Sequence, residues 1–244
     1  KIEEDCLFFA LKGERFNGNH YVRDALDKGA LVAVADEKIA TIDDRVIQVD
    51  NSLKVLQQLA LKHRQVNGAK IIAITGSNGK TTTKELIHQV LKTSFNTIAT
   101  KGNLNNHIGV PLSLLRINEK TEIAIVEMGA NHRGEISDLC EIAVPDEGII
   151  TNVGSARLEG FGSFEGVKQG KAELYKSLKK TDGLCYINAD NMHLMEMIDK
   201  QKTFKYSFNS ETECIASLFS ENNFIGIEWR CGDKNGKTIS NLTG

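Results

Sequence analysis

The residues best placed to do chemistry lie in the run Ile71-Ile72-Ala73-Ile74-Thr75-Gly76-Ser77-Asn78-Gly79-Lys80-Thr81-Thr82-Thr83. Four apolar residues read as a buried strand. They lead into a loop with two glycines, then Lys-Thr, then a helix. Glycines let the backbone curl so that its N–H groups converge on phosphate oxygens. The helix N-terminus adds partial positive charge. Lys80 is placed to reach β- and γ-phosphates, and the Thr81 hydroxyl to hold Mg²⁺. The loop is the shorter GxxGKT form, with Ile74 where the longer phosphate-loop pattern has its first glycine. A strand-to-helix turn with an incidental lysine is the bland alternative. The coincidence of strand, glycines and Lys-Thr weighs against it.

Two further residues stand out. Ile123–Val126 reads as a strand ending at Glu127, and ligands of parallel sheets collect at the carboxyl ends of strands. A carboxylate there, beside a phosphate loop, suits Mg²⁺. His132, a little beyond, reads as a capping or surface histidine. Lys171 lies four residues after Val167 and three before Leu174, which puts it on the apolar stripe of a helix. A buried ammonium is costly unless it pairs or loses its proton. Three outcomes fit: an ion pair, snorkelling to the surface, or covalent neutralisation by CO₂ as a carbamate. The pattern alone favours snorkelling.

The rest of the chain must hold these residues in place. Its 244 residues are enough for one large domain or two small ones. Thirty Lys+Arg against 32 Asp+Glu leave a formal charge of −2, so no broad basic surface for nucleic acid is implied. No apolar run approaches the ~20 residues that cross a bilayer, and membrane insertion is not expected. Cys6, Cys140, Cys185, Cys214 and Cys231 are scattered and lack CxxC spacing. They read as reduced thiols of a cytoplasmic protein rather than as disulfides or a zinc site.

Short apolar runs alternate with amphipathic segments. Strands are expected at Leu31–Ala35, Val46–Val49, Ile71–Ile74, Ile123–Val126, Ile149–Thr151 and Leu184–Ile187. Helices are expected from Asn51 or Ser52 to Asn67-Gly68, and at Lys80–Leu91, Ile108–Leu115, Glu135–Ala143, Phe164–Leu178 and Met192–Ile198. Continuous apolar strands imply a mostly parallel sheet with helices on both faces. From Thr203 to Ser240 the pattern changes to short strands, with turns at Asn222-Asn223 and Lys234–Gly236 and an antiparallel patch. The expected fold is α/β. A small N-terminal α/β domain spans about 1–67, and a phosphate-loop domain runs from about 68 to 244.

Together the motifs resemble the Mur ligases, ATP-dependent amide ligases of peptidoglycan synthesis. The phosphate loop carries the family resemblance. Lys101–Leu115, Val126–Ile136 (VEMGANHRGEI) and Ile150–Leu174 look like the branch that joins UDP-N-acetylmuramoyl-tripeptide to D-alanyl-D-alanine. Phe8–Gly18 is similar to that branch's domain for the UDP-precursor. The resemblance implies that Thr75, Gly76, Ser77, Asn78, Gly79, Lys80, Thr81 and Thr82 cradle ATP, and that Thr81 and Glu127 hold Mg²⁺. It implies that Lys171 is the carbamylated lysine, a further metal ligand, which replaces the snorkelling reading. Asn105, Asn106, His107 and Arg157 would face the muramoyl precursor. Lys80, Glu127 and Lys171 would be the catalytic residues of a cytoplasmic monomer.

Two departures qualify this. Arg157 stands where the family usually has a histidine that helps hold a second Mg²⁺, and a guanidinium has no lone pair for a metal. The chain also looks cut at both ends, without the family's third domain. A nucleotide-binding fragment with no activity of its own is therefore one alternative. Another ligase of the superfamily, third-residue-adding or folylpolyglutamate type, is the second, although Thr81-Thr82 disfavours the folate enzymes, which usually have Gly-Ser after the loop lysine.

Overall fold

The computed structural model describes residues 2–39, 43–154, 158–221 and 224–243. The Cα framework divides into two compact units, residues 1–63 and 64–244. The first contains β1 (Leu7–Phe9), β2 (Lys12–Gly13), β3 (Phe16–Asn17), α1 (Val22–Asp27), β4 (Val32–Ala35), β5 (Val46–Gln48) and the start of α2 (Ser52–Asn67). β1, β4 and β5 form a parallel sheet in that order. Its core is alanine-rich: Ala10, Ala25, Ala30, Ala33 and Ala35 pack with Val22 and Leu26. The Asn51 side chain accepts the Lys54 N–H at 2.8 Å, and so caps α2.

The second unit runs β6 (Lys70–Thr75), α3 (Lys80–Leu91), β7 (Thr97–Ala99), α4 (Gly109–Leu114), β8 (Ile123–Glu127), α5 (Glu135–Ala143), β9 (Glu147–Ile150), α6 (Leu158–Phe161), α7 (Phe164–Lys180), β10 (Leu184–Asn188), α8 (Met192–Met195), β11 (Thr203–Ser207), β12 (Cys214–Glu221), β13 (Phe224–Cys231) and β14 (Lys234–Thr243). One sheet holds its strands in the order β14-β13-β12-β11-β10-β9-β6-β8-β7. The pairings from β7 to β12 are parallel, and β12-β13-β14 is antiparallel. This is the expected α/β architecture with its antiparallel patch.

The connectivity decides where a ligand can bind. From β6 the chain moves to β7 and β8 on one side of the sheet. It then crosses to β9 on the other. The strand order therefore reverses at β6, and such a reversal opens a crevice at the carboxyl ends of the strands. The phosphate loop follows β6 directly. β6 and β8 are buried along nearly their whole length, so both loops leave a rigid platform.

The C-terminal region differs from its sequence reading in three ways. β11 is parallel to both neighbours. β12 and β13 are eight residues long and β14 is ten. The turn between β13 and β14 is not Lys234–Gly236, which lies inside β14. The chain reverses at Gly232, with φ +58°. Gly236 is directly opposite Trp229 in the ladder, and a Cβ there would lie 2.7 Å from the indole Cζ2. That glycine makes room for a ring rather than for a bend. The expected turn at Asn222-Asn223 falls outside the described residues. Met192–Ile198 shortens to a helix over Met192–Met195.

Tyr175 ties α7 to the sheet. It is fully buried, donates to the Tyr186 carbonyl at 2.7 Å and accepts the Ile150 N–H at 3.3 Å. Burial pushes its phenol above the ordinary range. Tyr175→Phe strands both backbone groups in the core, and is expected to cost about 1–3 kcal/mol. Urea unfolding of the two chains, with an unchanged slope, checks this.

Candidate nucleotide-binding site

β6 delivers Thr75 to the edge of the crevice. Its side chain is buried, and its hydroxyl donates to the Met128 carbonyl at 2.8 Å. Thr75 thus fastens β6 to the end of β8, and its hydroxyl is directed there. Gly76 follows at φ +145°. A Cβ at this position would lie 2.0 Å from the Thr151 Oγ1. Gly76→Ala must therefore displace the loop or Thr151. Strain of this kind costs about 1–3 kcal/mol, so a loss of about tenfold or more in nucleotide affinity is expected by calorimetric titration. Gly79, at φ +77°, is the N-cap of α3. Lys80 opens the helix, and its Nζ donates to the carbonyls of Gly76 at 2.7 Å and Ser77 at 3.3 Å.

The segment after β9 clamps this loop from the side. The Asn152 Oδ1 accepts the Asn78 N–H at 3.0 Å, its Nδ2 donates to the Asn78 carbonyl at 3.1 Å, and its carbonyl accepts the Ser77 N–H at 3.1 Å. The Thr151 hydroxyl donates to the Asn78 carbonyl, and Gly154 exchanges hydrogen bonds with Ser77. Sequence reasoning did not find Thr151 and Asn152 as partners of the loop, because the pairing spans more than 70 residues. Thr82 sits exposed in the first turn of α3.

Glu127 is 2% exposed at the end of β8. Its Oε2 accepts the Thr81 hydroxyl at 3.0 Å, and its Oε1 accepts the Asn105 Nδ2 at 2.9 Å. Two hard oxygen donors, one anionic, thus meet beside the phosphate loop. This donor set fits Mg²⁺. Among the described residues there is no cluster of three or more His, Cys, Asp and Glu side chains suited to a metal. Thr81 and Glu127 leave the other positions of such an ion to water, substrate oxygens or a further protein ligand, since Mg²⁺ usually keeps several waters.

A cavity of about 350 Å³ opens next to this pair. Gly76, Ser77 and Lys80 line it, as do Asn105, Asn106 and His107. Gly129–Asn131, Glu135, Phe161 and Lys171 complete the wall. Asn106 has a positioning job as well. Its Oδ1 accepts the N–H groups of Ile108 and Gly109 at 3.1 and 2.9 Å, and so starts α4. Lys171 is 3% exposed, with its Nζ 5.3 Å from the centre of the Phe161 ring. It points into the cavity wall and does not snorkel to the surface. Arg157 falls outside the described residues. His132 is exposed and bonds Glu135 at 3.0 Å.

The wall of the cavity is fixed from behind. Burial raises the Glu135 carboxyl, but hydrogen bonds from the Asn131 N–H and His132 outweigh it and hold the group below the ordinary carboxylate range. Glu173 of α7 accepts the N–H groups of Gly134 and Ser137 at 2.7 and 3.0 Å. It supplies the α5 N-terminus with an acceptor that its own sequence lacks. Burial pushes the Cys140 thiol up to about 12, which keeps it an inert packing group against Met128.

The arrangement suits an anion of several phosphates: Lys80 and the N-terminus of α3 stand beside a polar cavity. Comparison with known proteins agrees. Residues 74–239 match the Mur ligase middle domain, and residues 1–64 match the Mur ligase family catalytic domain. The chain belongs to the Mur ligase family. It is 44% identical over 189 residues to the UDP-N-acetylmuramoyl-tripeptide–D-alanyl-D-alanine ligase of Bacillus subtilis, covering 77% of this chain and 41% of that ligase. Two solved structures share its fold. One is a MurF from Acinetobacter baumannii, with TM-score 0.90, 29% identity and coverage of 100% of this chain and 54% of that one. The other is the MurF ligase of Thermotoga maritima in complex with ADP, with TM-score 0.88, 31% identity and coverage of 98% and 56%. The chain spans about half the length of the ligases it matches. No helix among its described residues is long and apolar enough to cross a membrane.

Proposed function

We propose that this chain is the UDP-precursor and ATP-binding part of a ligase that adds D-alanyl-D-alanine to UDP-N-acetylmuramoyl-tripeptide. The observation that carries the reading is the meeting of Thr81 and Glu127 at 3.0 Å, beside a cavity that Lys80 and Lys171 both line. The 44% identity to a ligase of that name supports the choice of substrates.

In the first step the tripeptide carboxylate attacks the γ-phosphorus of ATP. The bond from that phosphorus to the β-γ bridging oxygen breaks, and ADP leaves from an acyl phosphate. In the second step the amine of D-alanyl-D-alanine attacks the acyl carbon, inorganic phosphate leaves, and the amine proton passes to solvent. Lys80 and the α3 N-terminus bind and orient the β- and γ-phosphates. Thr81 and Glu127 would hold Mg²⁺, which supplies charge neutralisation at the transferring phosphate. Asn105 orients Glu127, while Asn106 and His107 face the precursor. Lys171, carbamylated, would present an anionic oxygen pair at the cavity it lines, as a further metal ligand. Positioning and electrostatics provide most of the acceleration in such transfers. The scattered cysteines, which lack CxxC spacing, support a cytoplasmic setting.

The test is ADP release with ATP, Mg²⁺ and UDP-N-acetylmuramoyl-tripeptide, with and without D-alanyl-D-alanine. It is run on this chain and on one extended to the length of its relatives. Sustained release that requires both substrates in the longer chain supports the reading. Release with ATP alone, or with an amino acid in place of the dipeptide, overturns it.

A further inference from the structure

Lys84 lies one turn beyond Lys80 on α3 and is fully buried. Its Nζ donates to the Thr100 carbonyl at 2.7 Å and pairs with Glu85 at 2.8 Å. The hydrogen bond from Lys84 lowers the Glu85 carboxyl. Thr100, just past β7, is also buried. Its N–H donates to the Ile125 carbonyl of β8 at 2.9 Å, and its hydroxyl accepts the Glu127 N–H at 3.0 Å. One ammonium therefore ties the phosphate-loop helix to the ends of both β7 and β8. The β7 end leads to Asn105, and the β8 end carries Glu127. Both residues of the Thr81–Glu127 pair are thus attached to Lys84, one through its own helix and the other through Thr100.

Stability alone is a poor reason for this lysine. An apolar side chain of similar length would fill the same space without the desolvation cost, and such replacements are often neutral or stabilising. What an apolar side chain could not do is hold the Thr100 carbonyl. We propose that Lys84 is a positioning residue: through Thr100 it sets the Glu127 carboxylate at the distance from Thr81 that a divalent cation requires. This rests on the reading of Thr81 and Glu127 as the Mg²⁺ pair, and it adds a residue that acts without touching the ion.

The test is ADP binding by this chain, measured by calorimetry across a Mg²⁺ titration and again in EDTA. The variants are Lys84→Met and Thr100→Val, with thermal melting as the folding control. Loss of a group behind a metal ligand typically costs 10–100-fold in metal affinity. Both variants are expected to raise the Mg²⁺ midpoint by about tenfold or more while ADP affinity in EDTA is unchanged. Thr100→Val cuts the link to Glu127 and leaves the Lys84 bond to the carbonyl in place, so it carries the test if Lys84→Met does not fold. An unshifted midpoint overturns the inference. So does an equal loss with Mg²⁺ and in EDTA, since Lys84 would then support the whole loop. A parent chain whose ADP binding ignores Mg²⁺ overturns instead the reading of Thr81 and Glu127 on which the inference rests.

Discussion

Lys80→Ala is expected to reduce the affinity of the chain for ATP by about 100-fold or more, because breaking a desolvated ion pair costs about 3–5 kcal/mol. The Lys80 ammonium already spans the loop, from the Gly76 carbonyl at 2.7 Å to that of Ser77 at 3.3 Å. It is held over the cavity by the loop it serves. Removing it deletes the phosphate counter-charge and also leaves two inward-facing carbonyls without their donor, which repel phosphate oxygens. Salt dependence separates the two contributions, because screening weakens the charge interaction more than the packing of the loop. Calorimetric titration with ATP·Mg²⁺ measures the total. Affinity within about threefold of the parent would lie far below the cost of a lost ion pair and would sink the phosphate-loop assignment.

Much of this site is legible in the sequence because its parts are local. A buried strand, two glycines and a Lys-Thr pair within one short run specify a loop geometry with few alternatives. The helices that follow Gly79 and Gly134 start where the sequence puts them, at Lys80 and Glu135. Both glycines adopt positive φ, and that conformation ends whatever precedes it. The parts that were not legible are relations across the fold. The Asn105–Glu127 bond, the Thr151–Asn152 clamp on Asn78 and the Glu173 cap on α5 each join distant segments. No spacing rule reaches them. Lys84 was missed for a different reason. A lysine in a Thr-Lys-Glu stretch near a helix start reads as solvated surface, and only the packing of α3 against β7 and β8 reveals it as buried.

The fold shows the same division. Long apolar or strongly periodic segments were located to within a residue or two. Of the three-residue strands, β5 is read from its apolar run, but β1 and β7 carry too little pattern to be read. α1 also goes unread: its six residues make fewer than two turns, and, unlike in α4, no long apolar run marks it. The misplaced turn has a specific cause. Lys-Asn-Gly is turn chemistry by composition, but Gly236 faces the Trp229 ring across the ladder. A glycine selected for absence of a side chain and one selected for positive φ look alike in a sequence.

Lys171→Ala, made in a chain extended to the length of its relatives, is expected to lower ligase activity by more than about 100-fold. The argument begins with burial. At 3% exposure, and with a phenylalanine ring 5.3 Å from its nitrogen, a lysine retains its charge only at a desolvation cost that its partners must offset. Reaction of the neutral amine with CO₂ replaces an ammonium by an anionic oxygen pair. It also reverses the sign of the charge that Lys171 brings to the cavity it lines with Lys80. A carbamate supplies the oxygen ligands that Mg²⁺ prefers, whereas an ammonium repels the ion. The alanine variant removes that group but leaves its volume, which a small carboxylate can occupy. Added acetate or formate is therefore expected to restore part of the activity of Lys171→Ala and none of that of Lys80→Ala, where the missing group is cationic. A gently handled parent chain should carry the mass of one added carbamate, lost in the variant. Full activity in the alanine chain, or activity that no short carboxylate restores together with an unmodified parent mass, would remove Lys171 from the metal site and leave it as a cation facing substrate phosphate.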